Sequence, residues 1–474
     1  MAETTSTARA RRAPTAAEVD ARTPAGRDRY ADLLRVGSLA VVVLGHWLMA
    51  AVSGTGVGNL LAVLPGLQVL TWVLQVMPLF FFVGGFSHAL AWRSLVRREP
   101  DAPSHYALFL RSRTRRLLRP TLVFVAVWTL FALVAALAGI GRRGLSGAAL
   151  RMVTQPLWFI GIYLAMVALA PLLLRAHERW RWGAFGALVG AAVAVDVLRF
   201  AVGVPFVAFL NFAFVWLAVH QLGFLRADGR LVRPARPALL AVAGLVGAVV
   251  LVGFGPYPLS MVGMPGEKVS NMAPPTLALL CHGLWLTGAA ELLRGPAGRL
   301  LARPRAWRVV VLANGFAMTA FLWHLTAMLG VYGVQLALGP ALPEPATGAW
   351  WAQLPVRLVC AAAVTAGLVA VFRRFERPPA ARAARPARAG AGAGPRRGSG
   401  PWPGARAALG AVLALLGVLG LSLTGLGGLL AGHSATLIVV PVTAPVAIAA
   451  AVVGLLLVER SAADTPDRTV RVKG

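Results

Sequence analysis

The chain has 474 residues, of which 58% are hydrophobic and only 13% are charged, and its formal net charge is +29. A soluble protein of this length carries about twice that charged fraction. The arginines lie between apolar blocks rather than on one basic domain, which excludes nucleic-acid binding as the reason for the charge. With a mean hydropathy of +0.71, the composition predicts a polytopic membrane protein.

Twelve apolar blocks have the length, about 20 residues, that a helix needs to cross a hydrocarbon core. We predict an all-α polytopic membrane protein with a ten-helix core at 28–375 and two additional C-terminal transmembrane helices at 405–458. We also predict a disordered basic cytoplasmic tail at 1–27, an Arg/Ala/Pro/Gly-rich cytoplasmic linker at 376–404 and a cytoplasmic tail at 459–474. The predicted spans lie at 33–52, 66–92, 117–140, 157–175, 182–200, 205–224, 236–254, 273–292, 308–336, 350–372, 405–430 and 434–458.

Arginine and lysine alternate between rich and poor loops along the chain. The loops at 93–119, 225–235 and 293–307 are rich in arginine, whereas the loop at 53–65 has no charge and the loop at 337–349 has only Glu344. Because positive loops stay in the cytoplasm, we expect an integral protein of a bacterial plasma membrane with both termini in the cytoplasm.

The first span carries an unusual set of polar side chains. His46 interrupts an apolar run that begins after Arg35, and Asp32 precedes Arg35 by three positions. At about 100° per residue these side chains return to one helical face, with Arg35 and His46 about 16 Å apart along the axis. Ionisable groups are costly inside a membrane. The pattern therefore predicts a catalytic or ligand-binding site that runs from a charged cytoplasmic mouth to an imidazole near the membrane centre, with a structural histidine as the alternative.

Other spans carry further candidates. Arg116 and Arg119, one turn apart, have guanidinium groups that suit phosphate, although positive-inside charge alone is the simpler interpretation. His324 in the ninth span is a second intramembrane imidazole, either catalytic or substrate-positioning, with a packing role as the alternative. His88 in the second span follows two glycines, which allow another helix or a ligand to approach closely.

Four ionisable residues in the spans are weaker candidates. His282 and Glu291 lie in the eighth span, and Asp196 with Arg199 is expected to form an i,i+3 ion pair. Both cysteines fall inside apolar blocks, so neither a disulfide framework nor a cysteine metal site is expected. The central histidines have no carboxylate cluster in the sequence, and no metal site is predicted.

Six short motifs follow one another in an order that is typical of one family. They are DLLRVGSLAVVVLGH at 32–46, MPLFFFVGGF at 77–86, RRLLRP at 115–120, PLWFIGIYL at 156–164, FLWHL at 321–325 and FERPP at 375–379. Together they resemble the acyltransferase-3 family of integral-membrane acyltransferases over about residues 27–380. Two departures are that Leu33 stands where the family usually has glycine, and that Phe321 lies near the place of the usual tyrosine.

The resemblance implies an O-acyltransferase that moves an acyl group, often acetyl, from cytoplasmic acyl-CoA to a hydroxyl. It implies acyl-CoA as a co-substrate with no bound cofactor, a glycan, envelope polymer or natural product as acceptor, and contact with membrane lipid but not with nucleic acid. The expected site residues are His46 and His324 as catalytic groups, Arg35, Arg116 and Arg119 as ligands of the donor phosphates, Asp32 and Glu376 as orienting groups, and His88 and Trp158 as acceptor-binding or supporting groups.

The expected chemistry leaves alternatives open. An imidazole, whose pKa is about 6.5 in water, is suited to take a hydroxyl proton near neutral pH. We therefore expect direct attack by the acceptor hydroxyl with His46 as general base, and an acyl-histidine intermediate is the alternative. A transporter or flippase, with His46 and His324 as a proton relay, is the second class of function, and a structural membrane subunit is the third. The side of the membrane on which transfer occurs stays open.

Overall fold

The computed structural model describes residues 14–53, 56–139, 145–264, 266–339, 342–376, 402–426, 429, 433–437 and 439–461. Within these ranges two short antiparallel hairpins pair β1 (Ala50–Ser53) with β2 (Gly56–Asn59), and β3 (Ser434–Leu437) with β4 (Val440–Thr443). The α-helices there are α1 (Ala16–Ala21), α2 (Arg29–Met49), α3 (Leu60–Val63), α4 (Thr71–Leu74), α5 (Met77–Arg98), α6 (His105–Leu137), α7 (Leu145–Met152), α8 (Leu157–Trp180), α9 (Trp182–Val197), α10 (Asn211–Ala227), α11 (Ala235–Phe254), α12 (Leu277–Leu292), α13 (Arg294–Leu301), α14 (Pro304–Asn314), α15 (Ala317–Ala337), α16 (Gly348–Phe372), α17 (Pro403–Thr424) and α18 (Ala444–Ser461).

The predicted all-α polytopic fold is confirmed. In the described part of the chain, eleven helical segments are long and apolar enough to cross a membrane, and each coincides with a predicted span. The remaining predicted span corresponds to α12, which is apolar but only 16 residues long. Eleven of the twelve predicted spans therefore match helices of membrane-spanning length, and the eighth matches a shorter apolar helix.

Several span boundaries differ from the prediction, among them those of the ninth and the last span. The ninth span does not run unbroken from 308, because the chain leaves α14 at Gly315 and α15 begins at Ala317. The last span does not begin at 434, because strands β3 and β4, which are rich in Val and Thr, form a hairpin before α18 starts. Such residues pack well in strands, and Pro441 lacks the amide hydrogen that a helix interior needs.

The prediction of a disordered N-terminal tail is wrong for residues 14–27, while residues 1–13 lie outside the described ranges. Thr15 and Glu18 form a capping box that starts α1, in which each side chain accepts the backbone N–H of the other residue. Val19 is buried on this helix, and the indole N–H of Trp307 donates to the hydroxyl of Thr23 at 2.7 Å. The cap and one buried valine thus fix the segment against α14.

Glycines bring α5 and α10 into direct backbone contact. A Cβ atom on Gly85 would overlap the backbone carbonyl oxygen of His220, and one on Gly223 would overlap the carbonyl oxygen of Phe82. Only glycine permits this separation, since any larger side chain would push the helices apart. The crossing places His88 of α5 beside His220 of α10 in the buried core.

The two C-terminal helices pack as part of the same body. Gly417 of α17 lies against the backbone of Ala447 and Ala451 of α18, and α17 also packs on α8 at Gly161. The backbone N–H of Leu426 donates to the carbonyl of Leu150 at 3.1 Å. The helices extend beyond the predicted limits at both ends, from 403 to 461, and the linker residues 377–401 and the tail residues 462–474 lie outside the described ranges.

Candidate active site

The two predicted catalytic histidines contact each other. His46 lies on α2 and His324 on α15, with Nδ1 of His46 2.8 Å from Nε2 of His324. The rings stack at a centroid separation of 5.0 Å and an interplanar angle of 11°. His324 is fully buried, and the indole N–H of Trp47 donates to its backbone carbonyl at 3.0 Å. The contact joins residues 278 positions apart in the chain.

His46 lies in the last turn of α2. It is therefore further from the Arg35 end of the bundle than the position near the membrane centre that we predicted for it. The apolar run after His46 predicted helix up to residue 52. The chain instead leaves the helix at Ala50 and enters the buried strand β1. The histidine pair is therefore close to the end of the bundle that carries the β1–β2 hairpin.

The hydrogen bonds determine which ring nitrogens of this histidine pair carry a hydrogen. Nδ1 of His324 contacts the carbonyl oxygen of Phe321, and a carbonyl oxygen only accepts, so this nitrogen carries the hydrogen. In a neutral ring Nε2 of His324 then holds a lone pair, and Nδ1–H of His46 donates to it. This leaves Nε2 of His46 unprotonated, which is the state a general base requires.

Glu376 fixes the start of the helix that carries His324. Its carboxylate accepts the backbone N–H groups of Met318 and Thr319 at 3.2 and 3.0 Å, and the Thr319 hydroxyl at 2.6 Å. These N–H groups belong to the first turn of α15, where they have no partner within the helix. A carboxylate there also interacts favourably with the helix dipole. The geometry agrees with an orienting role, which stays a prediction.

Arg35 lies in a polar cluster at the opposite end of α2. Its guanidinium donates to Asp32 at 3.2 Å and to the hydroxyl of Ser87 on α5 at 2.9 Å. Asp32 also pairs with Arg27 at 2.7 Å, so one carboxylate serves two cations. Because its end of the bundle also holds the arginine-rich part of α6, we call it the arginine end.

Arg116 and Arg119 do not point to one site. The side chain of Arg116 is exposed, whereas Arg119 contacts Glu459 of α18 at 3.4 Å. Glu459 contacts Arg115 at the same distance. This pairing could not be predicted, because Glu459 fell in a predicted tail.

These elements fit one known family. The model of the acyltransferase-3 family, described as an acyltransferase domain, matches residues 28–374. The chain belongs to this family. It is a multi-pass membrane acyltransferase whose matched region contains both histidines of the pair, while Glu376, α17 and α18 lie outside it. No curated protein and no solved structure matches the chain.

The acyltransferase contains a second histidine pair that the sequence only half revealed. Nδ1 of His88 lies 3.0 Å from Nε2 of His220, and both rings are buried. Among the described residues, Nε2 of His88 and Nδ1 of His220 have no hydrogen-bond partner. His220 lies in the apolar block at 205–224. An ionisable residue inside a predicted span is a reason to consider it as a site residue, and this reason applied to His220. The other predicted supporting residue, Trp158, packs beside Phe159 with ring centroids 6.4 Å apart.

Next to this pair, a polar chain ends at Asp228. Gln221 donates to Nδ1 of His177 at 2.8 Å, and Nε2–H of His177 donates to Asp228 at 2.8 Å. Arg93 contacts the other carboxylate oxygen at 2.8 Å. Burial raises the pKa of Asp228, but the hydrogen bonds from His177 and Arg93 lower it by more, so the pKa lies below its usual range. The chain ties α5, α8 and α10 together at the arginine end.

Arg357 of α16 is another residue that the sequence reasoning missed. Only 6% of it is exposed, and its guanidinium donates to Gln353 at 2.6 Å and lies 5.2 Å from the ring centre of Tyr332. It lines a small cavity with Trp47, the neighbour of His46. Its position inside an apolar block could have identified it. It was missed because only the charges of the loops were compared.

The weaker candidates have structural partners. Asp196 accepts hydrogen bonds from Asn211, Tyr257 and the backbone N–H of Leu277, and the predicted ion pair with Arg199 does not form, because the carboxylate turns towards α10 and α12. The remaining two lie on α12: Glu291 pairs with Arg226 at 2.9 Å, and His282 contacts the carbonyl of Trp72 at 3.0 Å.

Proposed function

We propose that the acyltransferase moves an acyl group, in particular acetyl, from acyl-CoA to a hydroxyl of a carbohydrate, cell-envelope or secondary-metabolite acceptor, with His46 as general base. One observation carries this proposal, namely the hydrogen-bonded series from the Phe321 carbonyl through His324 to His46. A base that is held in one tautomer by a second group is the arrangement that hydroxyl activation uses.

The proposed step balances without an external proton source. Nε2 of His46 takes the proton as the acceptor oxygen bonds to the thioester carbonyl carbon. The carbon–sulfur bond then breaks, and the leaving thiolate of CoA takes the proton back from His46. The positive charge on His46 during the step is stabilised by the lone pair on Nε2 of His324, which accepts its Nδ1–H. Attack by Nε2 itself, giving an acyl-histidine intermediate, is the alternative.

The donor enters from the arginine end in this proposal. CoA carries several phosphate charges, and the guanidinium groups of Arg35 and Arg116 suit them. Arg35 and His46 lie eleven residues apart on α2, or about 16 Å along the axis, a gap for the extended pantetheine arm to bridge. We place the arginine end and both termini in the cytoplasm, where acyl-CoA is available, in the plasma membrane of a bacterium.

The test compares His46→Ala with His433→Ala in membranes supplied with radiolabelled acetyl-CoA and acceptor extracts. His433 is exposed and lies outside the family match, so it serves as the matched control. Loss of the general base is expected to lower transfer by about a hundredfold or more. The measurement is label transferred per amount of folded protein, quantified by detergent size-exclusion. Undiminished transfer by the His46 variant would refute the catalytic assignment.

A further inference from the structure

Arg357 turns into the protein, although the helix that carries it lies on the outside of the bundle. On α16, Val356 and Val359 are 64% and 69% exposed, whereas Arg357 is only 6% exposed. An arginine in a membrane helix usually extends its long side chain to the membrane surface, where water and lipid phosphates neutralise it. Arg357 is too buried to reach either of them, so its charge has to be stabilised inside the protein.

The side chains that surround the guanidinium of Arg357 are neutral. It donates to the amide oxygen of Gln353 at 2.6 Å and lies 3.5 Å from the hydroxyl of Tyr332. The amide oxygen of Gln353 also accepts from Gln335 at 2.7 Å, so it is shared. The ring centres of Tyr332 and Trp350 lie 5.2 and 5.8 Å from the guanidinium carbon. None of the ion pairs in the described part of the chain includes Arg357.

Two buried donors at this place have no hydrogen-bond partner among the residues that the structure describes. They are Nε of Arg357 and the indole N–H of Trp350. Aromatic rings and neutral oxygens reduce the cost of a buried cation, but they do not cancel its charge, and an unpaired donor adds to that cost. A bound anion would supply both the missing negative charge and an acceptor for the Nε–H group of Arg357.

Arg357 lines a small cavity beside the histidine pair, and Trp47 and Tyr332 line it as well. Trp47 follows His46 in the chain, and its indole N–H donates to the His324 carbonyl at 3.0 Å. Tyr332 lies eight residues after His324, or roughly 12 Å along the axis of α15. The hydroxyl of Tyr332 donates to a backbone carbonyl of β1 at 3.3 Å. The cavity therefore lies next to the proposed general base, on the side of the β1–β2 hairpin and away from the arginine end.

We propose that Arg357 binds a carboxylate of the acceptor, so that the acyltransferase prefers acidic acceptors. The inference rests on the proposed function, in which the donor enters from the arginine end and the hairpin side is left for the acceptor. A carboxylate is chosen because its planar pair of oxygens matches the edge of a guanidinium group. The small cavity also holds a carboxylate more easily than a tetrahedral phosphate. The distance along α15 makes Arg357 a binding residue, remote from the acyl-transfer chemistry.

The experiment measures acetyl transfer by the purified full-length protein in nanodiscs, with radiolabelled acetyl-CoA and two portions of one acceptor extract. One portion is untreated, and in the other the carboxylates are converted to neutral amides with a carbodiimide and methylamine. Amidation should lower transfer by the wild type about tenfold or more, because the charged partner of Arg357 is lost. Arg357→Gln should transfer weakly to the untreated portion, and amidation should lower its transfer no further. A merely structural role of Arg357 would leave the response to amidation intact.

Two variants and one further treatment serve as controls. Arg357→Lys should keep part of the preference for the untreated portion, since lysine keeps the charge but lacks the guanidinium fork. Arg151→Gln is the charge-loss control, because Arg151 is exposed on α7, which packs against β2 at the hairpin end. It should respond to amidation as the wild type does. Phosphatase treatment of the extract should leave transfer unchanged.

Three results would overturn the proposal. They are equal transfer by the wild type to both portions, an undiminished response of Arg357→Gln to amidation, and loss of transfer after phosphatase treatment, which would identify a phosphate instead. Should Arg357→Gln fail to fold, Arg357→Lys carries the same comparison, with a smaller response to amidation than the wild type expected.

Absence of any label transfer by the wild type would instead refute the proposed donor, and a donor-free measurement then tests the carboxylate site. Sodium glucuronate should raise the Tm of the wild type above its value in glucose, because a ligand that binds the folded state stabilises it. It should not do so for Arg357→Gln. Equal responses of the two proteins would contradict a carboxylate site at Arg357.

Discussion

At the residue scale, the proposed chemistry depends on which ring nitrogen of His46 carries the proton. His324 determines this, since its Nε2 accepts the hydrogen of His46 Nδ1 and its own Nδ1–H is held by the Phe321 carbonyl. Without His324, the imidazole of His46 is free to adopt the other tautomer and to turn. Its second nitrogen would then point away from the acceptor hydroxyl for part of the time.

Substitutions of His324 are therefore expected to act on the chemical step. His324→Ala should lower kcat about a hundredfold or more with little change in the Kd of acetyl-CoA. His324→Gln should retain more activity, because its amide oxygen is able to accept the hydrogen of His46 Nδ1. Steady-state kinetics and direct binding measure the two effects. Equal kcat for the alanine and glutamine variants would contradict the orienting role.

The sequence could predict the positions on one helix but not the contacts between helices. Asp32, Arg35 and His46 were found because helical geometry follows from residue spacing alone. The pairing of His46 with His324 and of Arg119 with Glu459 joins residues 278 and 340 positions apart. Such contacts depend on how α2, α15, α6 and α18 pack, and spacing within a helix holds no information about that.

At the element scale, the crossing of α5 and α10 controls the second histidine pair and the polar chain beside it. The backbones touch at Gly85 and Gly223, so the separation of the two helices is fixed by hydrogen atoms rather than by side chains. His88 and His220 lie within three residues of these glycines.

A single methyl group at this crossing is expected to destabilise the protein. Gly85→Ala should cost about 3 kcal/mol, because the new Cβ atom meets the backbone of α10, which has no room to move. Gly367→Ala is the matched control, since Gly367 is an exposed glycine of α16 with open space beside it. The control should be neutral or slightly stabilising. Thermal melting of both purified variants checks this, and identical melting curves for Gly85→Ala and wild type would disprove the close contact.

Secondary-structure elements could be predicted from the sequence where hydrophobicity alone determines them. The long apolar blocks gave the spans, since a membrane requires about 20 apolar residues per helix. The α1 helix and the β3–β4 hairpin did not follow from hydrophobicity. The helix depends on the capping box of Thr15 and Glu18, and the hairpin interrupts an apolar block whose Val and Thr content suits strands.

At the scale of the whole molecule, the charged contacts gather at the arginine end. Arg226 pairs with Asp28 and Glu291, and Arg93 pairs with Asp228. The histidine pair of His46 and His324 lies towards the other end, beside the β1–β2 hairpin. We expect the proposed donor, which has several negative charges, to be attracted to the arginine end. The thioester of the donor would then reach the proposed general base, His46, deeper in the bundle.

Orientation in the membrane follows from this polarity and is open to direct test. Cys281 and Cys360 are first replaced by alanine, and single cysteines are then placed at two exposed positions, Asp101 after α5 and Lys268 after α11. Asp101 follows the end of α5 at the arginine end, where Arg93 pairs with Asp228, whereas Lys268 lies at the opposite end.

A membrane-impermeant maleimide should label Lys268→Cys in intact cells, but it should label Asp101→Cys only after the cells are permeabilised. We expect positive charge to hold the arginine end in the cytoplasm, which is the compartment that supplies acyl-CoA. The reverse labelling pattern would place the arginines on the side without donor. In that case Arg35 and Arg116 would be unable to bind CoA from the cytoplasm.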